Sequence, residues 1–321
     1  MYDRNLINKQ KIIIMDGIPG GGKALLGAIL AGIPKVDQYI LNPNIDQTVS
    51  LFDAKKIDFD TAVYLLRTNH NLLFYDNAMF RHTNFRKSDL TSITKHPRYK
   101  YIKQRMAAND KQVYQKFKNN IIIQYCTHFT SNFSKPYFAA FKKQLIFIKL
   151  IRSPINLKMI KHLALWSIKW EQTKSRDGYI KFYEKKYKKN YPHFMQSKFK
   201  EYLKANKYER AILLILWAYK KKELNNFIYE KKYGSKIIVL PFENLITNPK
   251  KYLKLISKYT GSKLDKISFS TLKKEKVPRK INLKVDAENS FKFLKNKIKK
   301  KYFDRLVKLN KFYEHDILKK F

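Results

Sequence analysis

The chain has 321 residues, 44% of them hydrophobic and 15% aromatic, which suits a buried core without metal or disulfide staples and excludes a disordered polymer. Its 68 Lys and Arg against 25 Asp and Glu give a formal charge of +43, and its one cysteine, Cys126, excludes an internal disulfide and a thiolate zinc site. The excess is mostly Lys, arriving with the Ile, Asn, Phe and Tyr that AT-rich codons supply. Lys lacks the planar fork of a base reader, so no specific nucleic-acid partner is expected.

Residues 11–16 (KIIIMD) form a β-branched run closed by Gly17, the pattern of a buried parallel strand. A glycine-rich turn follows to Lys23, and residues 24–31 read as a helix ending near Gly32. Asp60 can cap a helix through residues 62–66, whereas 69–105 is polar and aromatic and is where acceptor recognition is expected. Residues 120–125, 145–151 and 236–240 are three more apolar strands. Helices are predicted over 134–143, from Pro154 to about 173, over 208–233 and over 248–259, stopping at Gly261.

Strands alternating with helices predict an α/β fold in three layers, a mainly parallel central sheet flanked by helices. The Lys- and Tyr-rich segment 179–207 reads as a solvated helical insertion, 263–286 as a basic loop, and 288–318 as a C-terminal helix. No linker divides the chain, so one domain over 1–321 is expected. The longest apolar run, 211–219, is too short to span a bilayer, and no apolar segment precedes the first strand. A cytoplasmic protein without a transmembrane segment is the expectation.

The turn carries the most chemical information. Residues 16–24 (DGIPGGGKA) place glycines between a strand and a helix, where backbone N–H groups close around a phosphate and the helix N-terminus adds partial positive charge. Gly20, Gly21, Gly22, Lys23 and Ala24 are therefore candidate anion-binding residues, against the plainer reading of a simple strand-to-helix turn. The pattern is G-x-x-x-x-G-K, but Ala24 stands where an Mg²⁺-dependent NTPase has Ser or Thr.

Four segments in this order resemble the sulfotransferases that use 3′-phosphoadenosine 5′-phosphosulfate. Residues 17–23 match that family's 5′-phosphosulfate loop; Thr127-His128-Phe129 resembles its Thr-His segment; Leu150-Ile151-Arg152-Ser153-Pro154 resembles its Arg-bearing strand end; and residues 240–245 (LPFENL) resemble its late strand. The resemblance implies a P-loop-like sulfotransferase architecture, that nucleotide as donor with 3′,5′-ADP as product, no required metal, and a hydroxyl or amine acceptor of unassigned identity. It also implies Arg152 and Ser153 as 3′-phosphate ligands. The chain departs from the family at Gly20, where Lys or Arg is common, and at Lys23, where Ser or Thr is. The family's serine after the Arg strand is not evident among Lys158, Lys161, His162 and Ser167, and its Arg-Lys-Gly loop is echoed only by Arg279-Lys280.

For the chemistry, Lys23 and the loop amides suit the charge that builds on a leaving phosphate. His128 suits proton acceptance from an acceptor hydroxyl, with Asp16 and Glu243 as alternative bases. Two rivals stand beside this reading. One is a P-loop kinase or NTPase whose metal-binding Asp would be Asp76; the other is a non-catalytic basic protein that binds polyanions. Trp166, Trp170 and Trp217 fall at helical spacing and read as core.

Overall fold

The apolar runs pair because their alternate side chains can be covered from both sides. The computed structural model describes residues 5–7, 9–172, 179–219 and 227–320. Strands β1 (Ile12–Gly17), β2 (Ile123–Cys126), β3 (Leu145–Ile151) and β6 (Lys236–Pro241) form a parallel sheet in the order β2-β1-β3-β6, and β4 (Lys181–Glu184) and β5 (Lys189–Pro192) form a separate antiparallel hairpin. Ile12, Ile14, Ile123 and Phe147 point into one core, Ile13, Met15, Ile146 and Ile148 into the other. That period-two division makes the fold three-layered.

Helix α1 (Lys23–Leu30) and the Pro249–Thr260 helix cover the second face through Leu26, Leu30, Leu253 and Ile256. Helices α2 (Pro43–Asp53) and α3 (Phe59–Ala78), with Lys135–Phe141, Leu157–Glu171 and Lys207–Ala218, pack on the first. From β1 the chain crosses to β2 on one side and later to β3 on the other. The loops that leave these strands therefore diverge around a crevice at the C-terminal edge.

Several predicted elements need correction. Segment 179–207 is not a solvated helical insertion: it holds the β4–β5 hairpin and a short helix, Phe199–Lys204. Tyr179, Tyr191, Phe194 and Tyr202 carry their rings inward and are buried against Trp170 and its neighbours, whereas Tyr183 stays exposed. The C-terminal helix is two, Leu283–Lys295 and Lys300–Phe312. The break is held from a distance, since the Glu209 carboxylate accepts from Lys299 N at 3.0 Å and Asn206 donates to Lys297 O at 2.9 Å. The basic loop contains a capped helix, Lys266–Lys274, and α3 is capped by Asp58 rather than Asp60. The helix predicted over 208–233 is seen as Lys207–Ala218 and Phe227–Tyr233, with 220–226 outside the described residues.

One buried group makes a pH test. His70 on α3 is fully buried, its Nδ1 lying 2.8 Å from Tyr125 Oη, and burial pulls its pKa down to about 3. The unfolded chain binds this proton near its ordinary pKa of about 6.5 and the folded chain does not, so stability falls as pH drops from about 6.5 toward about 4, by about 1.4 kcal/mol per unit from this group. Urea unfolding across that window should show the slope, and His70→Gln should flatten it by about one proton's worth.

Candidate active site

The glycine loop turns sharply at the end of β1. Gly21 N donates to Ile18 O at 2.9 Å, so the Gly21 amide closes the turn. Gly22 has φ 106°, and a Cβ there would fall 2.2 Å from the Phe242 ring, so both backbone and space demand glycine. As the N-cap of α1 it offers no side chain, leaving the first helical amides, those of Lys23 and Ala24, open to an outside acceptor.

Lys23 bends back into the turn. Its Nζ donates to Gly17 O at 2.7 Å and to Ile18 O at 2.9 Å, and burial lowers its pKa. An ammonium has three N–H bonds, so one remains for the cavity of about 620 Å³ that Lys23 lines together with Gly20, Gly22, Ala24, His128 and His162.

His128 reaches this cavity from the loop after β2. Thr127 N donates to Met15 O at 2.9 Å, which carries the strand pairing to the residue before it. Phe129, buried and held at φ 59°, then turns the chain away from the sheet; an aromatic residue keeps this strained conformation because Trp170, Tyr179, Phe194 and Trp217 surround its ring. Tyr179 Oη donates to His128 O at 2.5 Å. The imidazole stacks on Trp166, with ring centroids 6.3 Å apart, and Nδ1 lies 3.7 Å from Asp46 Oδ2 on α2. Its side chain keeps 21% of its surface exposed. Burial, then the Lys23 ammonium and the neighbouring His162, push its pKa well below the ordinary value, so it is neutral near pH 7.

The alternative bases are engaged elsewhere. Asp16 is fully buried and accepts from Thr127 Oγ1, Thr130 N, Thr130 Oγ1 and Ser131 N at 2.7–3.0 Å, which ties β1 to the loop carrying His128. Its carboxylate does not line the cavity. Glu243 accepts from Ser153 N at 3.0 Å and from Tyr313 Oη, anchoring the end of β3 to the C-terminal segment.

Arg152 sits beside the loop. Its Nη1 donates to Gly20 O at 3.1 Å, its guanidinium stacks 4.2 Å from the Phe242 ring centroid, and its Nε is buried without a partner. Ser153 Oγ meets Asn310 Oδ1 at 3.3 Å. The crevice that Arg152, Ser153 and Phe242 share with Leu283 and Asp286 has room for only about 30 Å³, less than a phosphate needs, so an anion would meet Arg152 on its outer edge.

Two residues at this site were not assigned from the sequence. His162 stands over the loop, its Cβ 3.3 Å from where a Gly20 Cβ would be, and Asp46 faces His128 across 82 residues of chain, a separation no local pattern spans. Only the Asn42 cap and Pro43 mark the helix that carries Asp46. Ser167, by contrast, points to Ala164 O within its own helix, and Asp76 lies on α3 rather than at a strand end, where the metal-binding Asp of an NTPase belongs.

No protein-family model matches the chain, and no curated protein sequence does. Among solved structures it aligns with the sulfotransferase domain of the Synechococcus olefin synthase over 97% of this chain and 96% of that one, at 11% identity and a TM-score of 0.40. It aligns with the sulfotransferase domain of the curacin biosynthetic pathway over 94% and 98%, at 11% identity and a TM-score of 0.38. With the sulfotransferase of Alicyclobacillus acidocaldarius the figures are 95% and 97%, 12% identity and 0.38.

Proposed function

We propose that this chain is a sulfotransferase that moves a sulfuryl group from 3′-phosphoadenosine 5′-phosphosulfate to a hydroxyl acceptor. The observation that carries the reading is the meeting of two cationic elements at one strand edge. The glycine loop with Lys23 opens into the cavity that holds His128, and Arg152 reaches back to Gly20 at 3.1 Å. A nucleotide with phosphates at both ends of its ribose needs such a pair. The uncapped amides at the start of α1 and the outer edge of the Arg152 guanidinium suit the donor's two anionic ends.

When bound, the donor supplies the sulfuryl group and leaves as 3′,5′-ADP. The amides of Gly22, Lys23 and Ala24, with the remaining N–H of Lys23, hold the oxygens on which charge grows. Arg152, with the Ser153 hydroxyl beside it, fixes the 3′-phosphate. His128 accepts the acceptor's proton: its Nδ1 faces Asp46, which favours the proton there and leaves the Nε2 lone pair for the substrate.

Thermal unfolding tests the reading. 3′,5′-ADP without metal should stabilise the fold by about 2.7 kcal/mol at about a hundredfold excess over its Kd. Stabilisation by ATP with Mg²⁺ and none by 3′,5′-ADP would overturn it in favour of a nucleotide triphosphate enzyme. Transfer of radiolabelled sulfate to a mixed acceptor panel then measures the reaction itself.

A further inference from the structure

The cavity beyond His128 does not share the character of the rest of the molecule. Its outer wall is Tyr39, Leu41, Leu90 and Thr91, and Tyr39, Leu41 and Thr91 also line a second chamber of about 260 Å³ that runs on toward Thr83 and Asn84. Leu41 and Leu90 are 53% and 64% exposed, apolar side chains held at the mouth of a groove. The chain has 68 Lys and Arg among 321 residues, yet among the described residues lining both chambers Lys23 is the one Lys or Arg, and it sits at the reacting end.

The remaining charge in the groove is engaged by its own loop. Asp89 accepts from Asn84 Nδ2 at 3.1 Å and Ser88 Oγ at 3.3 Å, with Arg86 3.7 Å away. In the second chamber Gln38 donates to Leu90 O at 2.9 Å and Asn77 to Asp37 at 2.8 Å, while Thr83 Oγ1 is buried with no hydrogen-bond partner. The second chamber is thus lined by neutral polar side chains, Gln38, Asn77, Thr83 and Asn84, beside His82, which lies 3.3 Å from Asp76.

We propose that the acceptor is an elongated, uncharged alcohol, its reacting hydroxyl at His128, its apolar middle on Leu41 and Leu90, and a neutral polar far end beside Thr83. This rests on the sulfotransferase reading above. A carboxylate or sulfate at the far end would find no Lys or Arg among the described lining residues, His82 there being 3.3 Å from Asp76, and an ammonium would meet an Asp89 already bonded. The molecule's large positive charge thus does not serve acceptor selection.

Three eight-carbon probes that differ only at the far end separate the possibilities: the terminal diol, the ω-hydroxycarboxylate and the ω-amino alcohol. With the full chain and saturating donor, the diol should show a kcat/KM about tenfold above either charged probe. His82→Lys, at an exposed position that lines the second chamber, should bring the hydroxycarboxylate up toward the diol. Equal or better transfer to a charged probe by the wild type, an unchanged preference in His82→Lys, or no binding of any probe at about 1 mM overturns the inference. If 3′,5′-ADP still stabilises the protein in those cases, the sulfotransferase reading survives; if it does not, that reading falls as well.

Discussion

Lys23→Ala is expected to lower kcat/KM for sulfate transfer by about 10²-fold or more, the usual cost of removing a donor aimed at developing charge. The geometry gives this residue two tasks. Its ammonium closes the turn on Gly17 O and Ile18 O, and its third N–H faces the cavity. The tasks separate experimentally. Loss of the turn bonds should appear as a lower Tm in the variant without any ligand, on the order of 2 kcal/mol for a charged donor with two buried acceptors. Loss of the cavity contact should appear in kcat at saturating donor and in weaker stabilisation by 3′,5′-ADP. Lys23→Met, which keeps the stem and loses the charge, should match the alanine variant in kcat if the ammonium is what matters. Wild-type turnover in either variant would take Lys23 out of the mechanism.

The part of this site that was legible in the sequence is the part built by short stretches of chain. The strand-turn-helix unit at 11–31 follows from β-branched residues, glycines and a helix pattern in direct succession. Strand ends placed His128 and Arg152 at one edge because parallel strands with crossovers leave their C-terminal ends on the same side. What failed were readings that depend on distant partners. The break at 296–299 is made by Asn206 and Glu209, and Asp46 reaches His128 only because α2 folds over β2's exit loop. Counting Lys and Tyr over 179–207 says nothing of where the rings go, and those of Tyr179, Tyr191 and Tyr202 go into the core around Trp170. The Trp residues were read as core; Trp170 is, whereas Trp166 also stacks on His128.

His128→Ala is expected to cost about 10²- to 10⁴-fold in kcat, the range for a positioned general base. The pH profile distinguishes that role from mere packing against Trp166. A base works in its deprotonated form, so the rate should fall as pH drops through the folded-state pKa of His128, which burial, Lys23 and His162 hold well below the ordinary 6.5. The wild-type acid limb should therefore lie below about pH 6.5, with a flat profile across neutrality. In His128→Ala the residual rate should lose that limb altogether. A packing defect would instead lower kcat and leave the limb in place. The same low pKa makes His128 a weak base in the resting enzyme, and the nearby Asp46 carboxylate, 3.7 Å from Nδ1, offsets this by stabilising the imidazolium once the acceptor's proton has arrived.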